Sequence, residues 1–188
     1  MKTITTTLKL FAILMIIVGF IYPVAVTVFA QLFFPKEAGG SLLHDPGGNI
    51  TGSALIGQPF SDPKYFWSRP SATSGYPYNP MASGGSNLGP TNKDLLDQIS
   101  NRTDLLKSSG IHAPVPSDMV MASASGLDPH ISVQSAVVQI PRVSKVRNLD
   151  EKTLTQLVLE HVEERQFGFL GEQRINVLEL NLALDNMK

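Results

Sequence analysis

Residues Leu10 to Phe34 form an unbroken stretch of 25 residues with no charged side chain. A hydrocarbon core about 30 Å thick is crossed by roughly 20 helical residues, so this segment is long enough to span a bilayer with some tilt. A cleaved signal sequence is the competing reading, and Val28-Phe29-Ala30 offers a small-residue cleavage site. The apolar stretch exceeds the roughly 7–15 residues of a signal core, which favours an uncleaved anchor. Pro23 lies inside the span and removes one backbone donor, which predicts a kink. A neighbouring membrane helix would cover the freed carbonyl, and a lone kinked anchor is equally compatible with the sequence.

Basic residues near the ends set the orientation of a span. Lys2, Lys9 and the α-amino group precede it, and Lys36 is the only basic residue between it and Lys64. The expected organisation is a cytoplasmic tip over residues 1–9, a transmembrane helix over 10–34, and one soluble domain over 35–188 outside the cytoplasm. The chain has no cysteine, so no disulfide supports that domain. Fifteen basic and 16 acidic residues leave a net charge of −1, which gives no basic face for nucleic acid.

The soluble part divides into a loop-rich stretch, 35–90, and a mainly helical stretch, 91–188. Residues 39–90 hold 17 of the chain's 28 Gly and Pro residues, too many for long helices. Six of the 8 aromatics outside the anchor also lie here: Phe60, Tyr65, Phe66, Trp67, Tyr76 and Tyr78. Aromatics are scarce in disordered chain, so this stretch is expected to be ordered, with the rings packing on their own domain. Short strands are expected near Ala54-Leu55-Ile56 and Tyr65-Phe66-Trp67. Beyond Pro90, Thr91 is a candidate cap for a helix carrying Leu95, Leu96, Ile99, Leu105 and Leu106 as far as a stop at Gly110. Ser117 and Ser132 are candidate caps of short helices, and Pro141 either kinks the second or starts another. Asp150 opens a helix with a stripe of Leu154, Leu157, Val158, His161 and Val162. Leu178, Leu180, Leu182 and Leu184 alternate with other residues, a period of two that predicts a C-terminal strand. Helices with a few strands predict an α+β or α/β domain behind a single N-terminal transmembrane helix.

Catalytic signatures are scarce. Residues Gly84 to Thr91 space glycines like a phosphate loop, but Pro90 stands where that loop needs lysine, so a turn explains them better. His44, His112, His130 and His161 lack a second ligand at metal spacing, and no metal site is expected. There is no G-x-S-x-G serine and no cysteine nucleophile. Arg142, Lys145 and Arg147 are expected to form a solvated helix face, an anion-binding or acidic-partner surface being the alternative.

Several segments together resemble one family. They are Gly52-Ser53-Ala54-Leu55-Ile56-Gly57-Gln58, Tyr65-Phe66-Trp67-Ser68-Arg69-Pro70-Ser71, Ser86-Asn87-Leu88-Gly89-Pro90-Thr91-Asn92 and Ser125-Gly126-Leu127-Asp128-Pro129-His130-Ile131-Ser132. Gln139-Ile140-Pro141-Arg142-Val143, Arg147-Asn148 and the stretch from Asn176 to Asp185 complete the set. In their order the chain resembles the C subunit of the Kdp potassium-transporting P-type ATPase over nearly its whole length; Ser144 departs mildly, where a small apolar residue is expected. The resemblance implies a non-catalytic accessory subunit of a high-affinity potassium uptake complex in the bacterial inner membrane. Its partners would be a channel-like potassium-binding subunit and an ATP-hydrolysing subunit that carries the phosphorylated aspartate. It also implies a role in assembly and in raising the ATP affinity of the hydrolysing subunit, with Gln139 the nucleotide-contacting residue by position. The charge bias around the anchor points the other way, because a domain outside the cytoplasm cannot touch cytoplasmic ATP. Direct nucleotide contact and an extracytoplasmic cap over the potassium inlet therefore stand as alternatives.

Overall fold

A computed structural model describes residues 2–45, 47–112 and 114–187. The chain forms two compact units, residues 1–42 and 43–188. The first is built on a continuous helical rod: α1 (Lys2–Ile16), a π-helical turn (Ile17–Ile21) and α2 (Tyr22–Phe33). Over Lys2–Phe33 it is long and apolar enough to cross a membrane, and it buries none of its apolar window within the chain. The π turn lies directly ahead of Pro23, and Tyr22 N–H donates to Ile17 O across the wider ring. Widening the turn gives the proline ring room that a regular turn denies it. A short helix α3 (Pro35–Ala38) follows.

The second unit is α+β. A two-stranded sheet pairs β1 (Leu42–His44) with β2 (Ile50–Ser53). After a long irregular stretch come α4 (Lys93–Ser108), β3 (His130–Ser132), α5 (Val133–Val137), α6 (Ile140–Arg147) and α7 (Glu151–Glu160). Then come β4 (Val162–Glu163), β5 (Arg174–Asn176) and α8 (Val177–Asn186). Strands β3, β5 and β4 form an antiparallel sheet in that order, with Ile131 opposite Ile175 and Val162 opposite Ile175. Its core is Phe66, Ile131, Ile140, Val143, Leu154, Val158, Ile175, Leu180 and Leu184. A smaller cluster of Leu106, Ile111, Met119 and Val120 packs beneath α4, with Trp67 against it.

Local signals decide most helix ends. Ser132 Oγ accepts from Ser135 N–H and Asp150 accepts from Lys152 N–H, as N-caps do. Gly110, at φ +97°, ends α4 in a Schellman turn: Ile111 N–H reaches Leu106 O, Gly110 N–H reaches Lys107 O, and Leu106 and Ile111 share the smaller cluster. Pro141 lies in the first turn of a separate helix, α6. The cap of α4 is Asn92, one residue beyond Thr91, and Ser117 opens only a 3₁₀ turn over Ser117–Met119.

The expected C-terminal strand is a helix. In α8 the buried residues are Val177, Leu178, Leu180, Asn181 and Leu184. Positions 177, 180, 181 and 184 follow helical spacing, so the leucine alternation was one edge of a wider apolar stripe. Asn176 supplies the decisive start signal, accepting from the N–H groups of Leu178 and Glu179. Residues 54–56 are a turn just after β2, and 65–67 are irregular rather than a strand. The aromatics of the loop-rich stretch do pack on their own domain, with Phe66 and Tyr78 buried and Tyr76 exposed.

Candidate functional site

The Tyr65-Phe66-Trp67 segment explains how a stretch so poor in secondary structure is ordered. A backbone without a ladder still needs partners for its buried N–H and C=O groups. Two side-chain amides supply them. Asn181 Oδ1 accepts from Phe66 N–H at 2.9 Å, and its Nδ2 donates to Phe66 O at 2.9 Å. Gln139 Oε1 accepts from Trp67 N–H at 2.7 Å, and its Nε2 donates to Trp67 O at 3.2 Å. A primary amide carries the same donor and acceptor as a peptide group, so α8 and the α5–α6 junction act as a neighbouring strand would.

Gln139 is wholly buried. Besides Trp67 it accepts from Arg142 Nη2 at 2.7 Å and donates to Ser135 O at 3.0 Å. Both amide protons and both oxygen lone pairs are thus engaged inside the domain. Arg142 is not a solvated residue as the sequence suggested. It is buried, donates to the carbonyls of Pro63 and Tyr65, and lies 4.3 Å over the Trp67 ring. Burial pushes its guanidinium down to about 10, opposed by the charge of Asp62, so it stays cationic at neutral pH. Its Nε has no partner among the described residues. Carbonyl dipoles and a ring face, with no carboxylate in contact among the described residues, hold this cation. Arg147 is also withdrawn from solvent, bonded to Lys64 O and Asp185, and Asp185 in turn accepts from Tyr65 Oη at 2.8 Å. Of the three basic residues only Lys145 is exposed, because the carbonyls of residues 63–65 draw in the other two.

A second polar cluster borders a cavity of about 480 Å³ lined by Arg69, Asp118, Asp128, His130 and Arg174 among others. Arg69 Nη1 is 2.8 Å from Asp128 Oδ2, and His130 bridges Asp128 (3.3 Å) and Glu163 (3.4 Å). Arg174 Nε is 2.8 Å from the other Glu163 oxygen. Burial raises the Asp128 carboxyl, but hydrogen bonds from His130 and the charge of Arg69 outweigh it and hold it down at about 2. Asp118 accepts from Ser132 N–H, Ser132 Oγ and Ser135 Oγ, fastening β3 and α5 to the 3₁₀ turn. Each of these three carboxylates is committed to a structural bond. Tyr78 Oη donates to Arg69 O, and burial pushes its phenol up to about 12.

Among the described residues no group of three or more His, Cys, Asp and Glu is placed to hold a metal ion. His161 Nδ1 sits 2.8 Å from Leu157 O at the end of α7, a boundary position. The ties through Asp118 and the Arg69–Asp128 pair carry no signal in the local sequence. Asn181 alone had a signal, an amide set within a leucine-rich apolar stripe.

An apolar helix long enough to span a membrane, followed by an α+β domain whose polar groups bind one another, defines an anchored body that presents surfaces. Residues 4–186 match the family described as KdpC, K+-transporting ATPase, c chain, and the chain belongs to that family. It is 56% identical over 187 residues to the potassium-transporting ATPase KdpC subunit of Geobacter metallireducens, covering 100% of this chain and 99% of that protein. The subunit of the same name from Geobacter sulfurreducens is 54% identical over 187 residues at the same coverage. The one from Burkholderia mallei is 53% identical over 177 residues, covering 93% of this chain and 91% of its own.

Proposed function

We propose that this chain is a non-catalytic accessory subunit of a potassium-transporting P-type ATPase, held in the bacterial inner membrane with its N-terminus in the cytoplasm and its domain outside. The domain caps the potassium inlet of the channel-like subunit and holds the complex together. Its influence on the ATP affinity of the hydrolysing subunit travels through that assembly, with no nucleotide bound at Gln139. The observation that carries this reading is the closed valence of Gln139, whose four hydrogen bonds all end inside its own domain. A nucleotide could engage it only by breaking a tie that orders residues 65–67. The full-length family match and the lysines ahead of the span support membership and orientation.

The deciding experiment is topology. The chain has no native cysteine, and Met81 is 90% exposed. Met81→Cys in intact cells, with the whole complex expressed, is expected to react with a membrane-impermeant maleimide before lysis. Labelling only after permeabilisation would place the domain in the cytoplasm and overturn the cap.

A further inference from the structure

We propose that His130 is a proton-dependent clasp, whose cationic form fastens the edge strand β4 to β3 and whose neutral form lets that edge open. The order β3-β5-β4 puts His130 and Glu163 on strands that are not neighbours. His130 stands opposite Asn176 in β5, and Glu163 opposite Arg174. Cross-strand partners share a face, as do residues two apart on one strand. His130, Asn176, Arg174 and Glu163 therefore lie on one face of the sheet, and the imidazole spans the middle strand there. Its Nδ1 is 3.3 Å from Asp128 Oδ1 and its Nε2 is 3.4 Å from Glu163 Oε1.

The count of donors decides which form of the ring fits. An ionised carboxylate only accepts hydrogen bonds, whereas a neutral imidazole has one N–H and one lone pair. With a carboxylate at each nitrogen, the neutral ring satisfies one and turns its lone pair toward the other. The imidazolium donates to both. Each carboxylate is held by an arginine on its far oxygen, Arg69 Nη1 at 2.8 Å from Asp128 Oδ2 and Arg174 Nε at 2.8 Å from Glu163 Oε2.

The neutral ring gives up Glu163. Asp128 is two residues from His130, and its Oδ1 also accepts from His130 N–H at 3.0 Å, so the backbone fixes that side. Strand β4 is two residues long and pairs only with β5, so the Glu163 side can move. The other charged groups near the ring are Arg69 from the loop-rich stretch, Asp118 from the 3₁₀ turn, and Glu172 and Arg174 at the entry to β5. Asp118 is engaged by Ser132 and Ser135, and Glu172 by Arg165, so neither competes for the ring. With the domain outside the cytoplasm, the clasp reads the external pH; that consequence rests on the orientation proposed above, and the clasp itself does not.

The test is hydrogen exchange in the full chain in detergent, read as protection factors over residues 162–176. The comparison is between about pH 5 and about pH 8, the range in which histidine changes charge. Protection is expected to be about threefold to fivefold higher at the acid end, the scale of a partly exposed ion pair. Protection of α7 and α8 is expected to stay level. Equal protection of 162–176 at both ends overturns the clasp. Glu163→Gln sets an amide, which can donate, against the neutral ring and is expected to abolish the pH dependence. His130→Gln is expected to abolish it too, with Trp67 emission like wild type as the check on folding. A pH dependence that survives in either variant overturns the proposal. His161 precedes β4 and contacts Leu157 O, which makes it the control. His161→Gln is expected to keep the pH dependence, and its loss there would move the effect to His161 and overturn the clasp.

Discussion

Replacing Gln139 by leucine keeps the volume and deletes the amide. Trp67 N–H and Trp67 O lose the partners that stand in for a strand, Ser135 O loses its donor, and Arg142 loses one of its acceptors. Each buried polar group left unmet costs about 1–3 kcal/mol, which puts the four together at about 4–12 kcal/mol. Arg142 keeps the Pro63 and Tyr65 carbonyls, and water can reach half-buried Trp67, so the lower half of that range applies. A loss of about 4 kcal/mol is a large part of the roughly 5–15 kcal/mol that holds a domain folded. Trp67 is the chain's single tryptophan and reports from the site itself. Urea unfolding of the full chain in detergent, followed by Trp67 emission, should show the midpoint falling by about 2 M for a slope near 2 kcal/mol per molar. A fall below about 0.5 M with unchanged emission would refute the amide-for-strand argument. The same variant separates the two roles ascribed to Gln139. At a temperature where the complex stays assembled, its ATP requirement is expected to match wild type; a raised requirement at equal assembly would restore nucleotide contact.

Asp128 predicts an acid limb. Its carboxyl is held below its unfolded value, so its contribution is present above about pH 4 and is lost as the pH falls toward 2. Asp128→Asn should flatten that part of the stability profile, and an unchanged acid limb would count against the Arg69–Asp128–His130 tie. Gly126 sits at φ +68°, where a Cβ would meet Thr73 Cγ2 at 2.5 Å and Gly84 O at 2.8 Å. Gly126→Ala should therefore cost more than the roughly 1–2 kcal/mol of the left-handed backbone alone, read as a fall in the urea midpoint.

Features that depend on a few neighbouring residues were legible in the sequence. The anchor follows from one continuous apolar run, and the Ser132 and Asp150 caps and the Gly110 stop each depend on residues within a turn of their own position. The ordering of the loop-rich stretch was legible from its aromatics, but its mechanism was not. Asn181 meets Phe66 across 115 residues and Gln139 meets Trp67 across 72, and no local pattern announces such pairings. The error at residues 177–186 has a related cause: an alternating leucine row satisfies both periods until the buried asparagine reveals which face turns inward. Arg142 was misread because charge patterning counts residues and cannot see a row of backbone carbonyls arriving from residues 63–65. Ser144 donates to Leu149 O at 2.6 Å and braces the left-handed turn at Asn148.

The π turn at Ile17–Ile21 has a geometric effect on the whole rod. An α-helix advances about 100° per residue, so one residue added to a turn rotates everything beyond it by about that angle. The side-chain row led by Phe11 and Leu14 does not continue into the row led by Val26 and Phe29; the two halves face different directions. Neighbours packed along this helix would therefore be shared between two faces, one for each leaflet, and a single straight partner could not follow it from end to end.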